Sequence, residues 1–252
     1  MKRSTVIRHL IGIAEQADHR ASVGTAWQVA PLAEIWVAGD LLDEVELVEN
    51  VSVVLMIDVP ADSLPVLAIH PDGQVWAWNL ELNKRPLLPR YEPVTRPAWN
   101  HERRRVLRFW SSDGGLDEAA VDSLRSRPLD AAPIVQPTPA ELREYLETEL
   151  PRSSAHLRRV LDDYWDGQWR KEHTDKPNWI HPDDHLWRAA YAVQSMQDAL
   201  AELECPTRVA GTRRRRLPQA SDARSRDCPF GRRFGRSSMP ERSEPSHSDH
   251  GS

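Results

Sequence analysis

The sequence predicts an α/β (α+β) protein: a small mixed sheet flanked by helices, then a C-terminal helical hairpin and a disordered tail. Three observations predict it. "VSVVLMIDV", residues 51–59, is apolar at nearly every position, as in strands covered on both faces by helices. Residues 4–21 and the chain after Thr138 carry apolar side chains at helical spacing. From Pro206 the chain is rich in Arg, Ser, Pro and Gly, without periodicity, and has too little apolar surface to fold.

The elements follow in order. Val6, Ile7, Leu10, Ile11, Ala14 and Ala17 form one stripe, with Ser4 as cap and Gly24 beyond the end. Arg8, His9, Glu15 and Gln16 interrupt that stretch, so it reads as an amphipathic helix and not a signal peptide, and the expected location is the cytoplasm. "LAEIWVAG" predicts a strand stopped at Gly39, and "VSVVLMIDV" the next. "IHPDGQ" reads as a turn joining "PVLAI" to an alternating strand, "QVWAWNLEL". "RVLRFW" is a further strand and "GLDEAAVDSLRSR" a short helix, which completes a domain over residues 1–128.

"LDAAPIVQPTP" predicts a linker over 129–137. Residues 138–205 predict a helical domain packed on the first. Thr138, Pro139 and Glu141 form a capping box, and Pro151 is expected to interrupt the helix. A second helix carries Leu157, Val160, Leu161, Tyr164, Trp165 and Trp169 on one stripe. A third begins at Pro182, and the last helices should pack antiparallel. Ten Trp suggest broad packing between sheet and helices.

Charge is divided unevenly. Residues 206–252 hold 11 Arg and five acids, so +6 of a net charge of −5, which leaves −11 on the body. Arg213–Arg216 offer non-specific nucleic-acid contact at most. No apolar run approaches the length of a membrane span. The two cysteines, Cys205 and Cys228, make no CxxC pair. Walker, GxGxxG and GxSxG patterns are absent from the sequence.

Three groups of residues are candidates for chemistry. Glu44, Glu46 and Asp58 are the candidate catalytic carboxylates, since carboxylates at i, i+2 on a strand share a face and hold divalent metal; the competing reading is a solvated acidic edge. Asn100, His101, Arg103, Arg104 and Arg108, in "WNHERRRVLRFW", are candidate ligand-binding residues, since clustered arginines between aromatics suit phosphate. His181 and His185 have the i, i+4 spacing of a metal pair, but Pro182 opens the helix there, which favours His181 as its cap over a metal ligand.

Residues 34–60 resemble a minimal nucleotidyltransferase palm: strand, Gly39, acidic stretch, strand. That resemblance implies Mg²⁺-dependent transfer from a nucleoside triphosphate if the ligands are intact. They depart from the pattern. Asp40 follows Gly39 where the family places serine, and Glu44-Val45-Glu46 comes too soon for the family's Asp-x-Asp. The expected function is therefore a non-catalytic binding or regulatory protein on a degenerate nucleotidyltransferase-like fold. The alternatives are an active metal-dependent nucleotidyltransferase, or the partner-binding component of a toxin–antitoxin or defence pair, with a protein partner. Residues 1–205 also resemble an uncharacterised domain family of high-GC bacteria through "IDVPADSLP", "AWNHERRRVLRFW", "YWDGQWRKEH" and "HLWRAAYAV". This implies one evolutionary unit and no particular activity.

Overall fold

The computed structural model describes residues 1–23, 29–43, 45, 47–126, 133–174 and 181–204, all within one compact unit, Met1–Val209. The first helix, α1 (Arg3–Val23), presents most of the expected stripe: Val6, Leu10, Ala14 and Ala17 are fully buried and Ile7 nearly so, while Ile13 takes the buried place expected of Ile11, which is only partly buried. Strand β1 (Leu32–Gly39) pairs antiparallel with β2 (Val51–Ile57), Gly39 opposite Val51. Strands β3 (Leu88–Pro93), β4 (Val106–Ser111) and β5 (Gly115–Leu116) complete a five-stranded sheet in the order β3-β2-β1-β4-β5. Strand β2 is buried at six of its seven positions, as its unbroken apolar pattern requires.

The stretch 65–84 departs from expectation. "PVLAI" forms no strand; Val66 and Leu67 make a turn, with Leu67 in the left-handed region at φ 61°. "QVWAWNLEL" is not a strand either. Helix α2 (Pro71–Asn79) occupies most of it, opened by His70, whose ring accepts from the Asp72 N–H, and by Pro71 at the first helical position. Strand β3 runs parallel to β2, and a parallel pair needs a crossover, which α2 supplies. Gly73 permits the contact: a Cβ there would stand 2.4 Å from the Tyr91 ring. Trp76 Nε1 donates to the Ala30 carbonyl at 2.8 Å, whereas Trp78 is exposed. Periodicity alone pointed to a strand because Trp76 and Trp78 alternate; the crossover overrides it.

Strand β3 itself was hidden by Pro89 and Pro93. It sits at the sheet edge, where missing N–H donors are tolerated. Helix α3 (Glu118–Arg125) is capped by the Asp117 carboxylate, which accepts from the Ala120 N–H. Part of the expected linker is ordered against the sheet: Val135 exchanges both backbone hydrogen bonds with Val106.

One face of the sheet, with Ile35, Val53, Leu55, Leu107 and Phe109, packs on α1, α2 and α3 in the main core. The other, with Ala38, Val54, Met56 and Val106, meets Ala98 and Trp99 of the β3–β4 connection. Beyond it lies the helical hairpin of α4 (Pro139–Tyr164) and α6 (Pro182–Glu204), with the short α5 (Gly167–Thr174) between them. Helix α4 has the full capping box and passes through Pro151 without interruption, because Leu146 and Glu149 before it and Ser153 and Val160 after it are buried on one side. Tyr164 donates to Asp183 at 2.6 Å, and Arg143 reaches Glu204 and the Leu203 carbonyl, so α4 and α6 are antiparallel as expected. Among the described residues no helix is long and apolar enough to cross a membrane. The basic segment 206–252 and both cysteines lie outside the described residues.

Candidate functional site

The palm-like loop is held by its own backbone. Gly39 has φ 98°, and a Cβ there would stand 2.3 Å from the Asn50 carbonyl oxygen, so glycine is required by the close approach of the two strands. The Asp40 N–H donates to that carbonyl at 2.9 Å, and the Asp40 carboxylate accepts from the N–H groups of Glu49 and Asn50 at 3.0 and 2.8 Å. Asp43 pairs with Arg105 at 2.9 Å. Glu44 and Glu46 lie outside the described residues. Asp58 is exposed just past the far end of β2, its N–H donating to Pro31. The seven residues of β2 separate it from the loop of Asp40, roughly 20 Å at the usual strand rise.

The densest polar constellation lies elsewhere, between β3 and the hairpin. The β3–β4 connection turns at Asn100, whose side-chain oxygen accepts from the N–H groups of Glu102 and Arg103, both at 2.9 Å. That turn sends Arg103 toward β3 and His101 toward α6. Glu92, fully buried, accepts from Arg103 at 2.6 Å through one oxygen and from Arg96 at 3.0 Å through the other. Arg96 reaches Glu149 of α4 at 2.8 Å and donates to the Leu64 carbonyl. Arg152 takes the second oxygen of Glu149 at 2.8 Å. Burial opposes the charge on Arg96, but Glu92, Tyr145 and Glu149 outweigh it and raise its pKa. The Tyr145 hydroxyl is pushed well above its ordinary value, by burial first and then by Glu92.

His101 Nε2 lies 2.8 Å from Ser195 Oγ, which itself donates to the Ala192 carbonyl. The hydroxyl therefore accepts from Nε2–H, and Nδ1 is left as a buried bare acceptor without a partner. Burial, then Arg103 and Arg104, lowers the His101 pKa to about 4, so the ring is neutral. Arg103 Nε and Nη1 and Asn100 Nδ2 are also buried without partners.

Of the five candidate ligand-binding residues, the seam thus gathers Asn100, His101 and Arg103. Arg104 is exposed and pairs with Glu202 at 3.3 Å; Arg108 pairs with Glu34 of β1 at 2.8 Å. Sequence reasoning missed Glu92, Arg96, Glu149 and Ser195. Glu149 and Ser153 fall on the buried face of α4, seven and eleven residues after Leu142, and a polar residue at core spacing was the available signal.

His181 and His185 are placed apart in role. The His181 carbonyl accepts from the N–H groups of Asp184 and His185, and so opens α6; its ring is exposed. The His185 ring packs edge-on to His173 at 4.9 Å and against Trp169 at 5.9 Å. Burial, then His173, lowers its pKa to about 4. Among the described residues no three His, Cys, Asp or Glu side chains come together as a metal site.

The fold and seam define a mixed α/β protein whose sheet is closed by an antiparallel helical hairpin over a buried ionic network. A family model described as "Domain of unknown function (DUF7711)" matches residues 1–202, and the chain belongs to that family. No curated protein matches the sequence, and no solved structure matches the fold.

Proposed function

We propose that the chain is a non-catalytic binding or regulatory protein on a degenerate nucleotidyltransferase-like scaffold. The observation that carries this reading is the commitment of Asp40. It stands after Gly39, where a palm would receive phosphate, and its carboxylate is bonded to the loop's own amides. A carboxylate in that place repels phosphate and closes the loop on itself. The order strand, Gly39, acidic stretch, strand supports the scaffold. The buried seam at Glu92, Arg96, Arg103 and Glu149 supports binding, since it concentrates polar groups between the sheet and the hairpin.

The test is thermal unfolding of the full chain with Mg²⁺ or Mn²⁺ and ATP or GTP. The reading expects no metal-dependent stabilisation that passes through Glu44. A strong metal-dependent rise in Tm, abolished by Glu44→Ala, overturns it.

A further inference from the structure

We infer that Arg90, Arg103 and Arg188, where edge strand β3 meets α6, form a binding site for a phosphate-type oxyanion. This deepens the binding reading above and rests on it.

Glu92 gives one oxygen to Arg103 and one to Arg96; Glu149 gives one to Arg96 and one to Arg152. Each of the four oxygens of the two buried carboxylates faces a guanidinium, although Glu149 Oε2 makes no aligned hydrogen bond. The next carboxylate, Glu102, lies by the Tyr191 hydroxyl and, after burial, raises its pKa. Two half-buried arginines are left over. Among the described residues, neither Arg90 nor Arg188 has a hydrogen bond or an ion pair within 4 Å; the more distant Glu102 acts on the first, Asp184 on the second and Tyr91 on both. Arg103, 7% exposed, still has Nε and Nη1 without acceptors.

Arg90 stands two residues before Glu92 on the same face of β3, and Glu92 pairs with Arg103; Arg188 lies about two turns before Ser195, which meets His101 of the same turn as Arg103. Guanidinium groups gathered in this way are costly without acceptors. The cost is visible at Arg90, whose pKa is lowered to about 10 by burial and then by Arg103, with Arg188 adding to it. A tetrahedral oxyanion supplies what is missing. Guanidinium forks match its oxygens in pairs, and its charge offsets their repulsion. Asn100 Nδ2, a buried donor without a partner three residues before Arg103, adds a neutral donor from the same turn. At the rim, Trp187 is 44% exposed and stacks on Tyr191 at 5.2 Å and 10°, next in sequence to Arg188. That platform suits an aromatic group carried by the phosphate.

The experiment is calorimetric titration and thermal unfolding of the full chain with inorganic phosphate, AMP and adenosine, at matched ionic strength. Phosphate and AMP should bind and raise Tm, and adenosine should not. Arg90→Gln and Arg188→Gln should each weaken phosphate binding at least about tenfold. Their ligand-free Tm should hold or rise, because a like charge is removed; a merely structural role predicts a fall. Arg8→Gln, on the exposed face of α1, should leave binding unchanged. AMP tighter than phosphate, with the gain lost in Trp187→Ala, identifies a nucleoside phosphate as the source; equal affinity identifies phosphate alone.

The proposal is overturned if neither anion binds at up to about 10 mM, a limit below which even weak specific sites fill. It is also overturned if the Arg90→Gln, Arg188→Gln double variant binds like the wild type. Either result rejects the anion site and leaves the parent reading in place, whereas metal-dependent stabilisation lost in Glu44→Ala rejects the parent.

Discussion

Glu92→Gln tests the ionic network at its centre. The wild-type carboxylate is 1% exposed and neutralises Arg103 at 2.6 Å and Arg96 at 3.0 Å. Glutamine fills the same volume without the charge. Arg96 keeps Glu149 and the Leu64 carbonyl, but Arg103 loses the only carboxylate it pairs with among the described residues. Removing one partner of a buried pair costs about 3–5 kcal/mol, and the amide oxygen still accepts one hydrogen bond, so a loss of about 3 kcal/mol is expected. Glu149→Gln should cost less, about 1–2 kcal/mol, because Arg96 keeps Glu92 and Arg152 is half exposed. The assay is urea unfolding at neutral pH, followed by tryptophan fluorescence and far-UV circular dichroism, with unchanged slope as the check on two-state behaviour. A loss below about 1 kcal/mol, the range of surface pairs, would refute the reasoning. So would a loss no greater than that of Glu149→Gln.

Two further outcomes follow from local geometry. The folded chain holds His101 neutral, with a pKa of about 4, while the unfolded chain protonates it near 6.5. The folded pKa is the lower one, so its contribution is present above about pH 6.5 and lost as pH falls toward 4, by about 3 kcal/mol at most. His101→Asn should therefore flatten the decline of stability over that window in urea titrations; parallel declines would rule His101 out as its source. Gly73→Ala forces a Cβ to 2.4 Å from Tyr91 and should cost about 1–3 kcal/mol. Gly167→Ala, at the start of α5 with nothing within 4 Å, should be neutral or gain up to about 1 kcal/mol. Equal melting temperatures for the two variants would contradict the packing of α2 on β3.

What the sequence made legible is what local pattern determines. The stripe of α1, the doubly buried β2, the Thr138 capping box and the antiparallel hairpin all arise from spacing or capping within a single element. What stayed hidden depends on distant partners. Trp76 and Trp78 alternate like a strand, yet α2 forms because β2 and β3 are parallel and Gly73 fits under Tyr91. Two prolines mask β3, which survives at the sheet edge. The basic stretch at 100–108 was visible as a cluster, but not its division: Arg103 goes to a carboxylate 11 positions earlier, while Arg108 goes to Glu34. Arg90 and Arg188 are 98 positions apart and carry no motif, so their proximity is a product of the fold alone.

The most direct test of binding without turnover is transfer of label from α-³²P nucleoside triphosphates, all four tried with Mg²⁺ and Mn²⁺, to the full chain or to co-purified protein and nucleic acid. The account predicts no acid-stable label above that of a heat-denatured control. Acid-stable label that disappears in Glu44→Gln or Glu46→Gln would contradict it, and would make the loop after Gly39 an active centre.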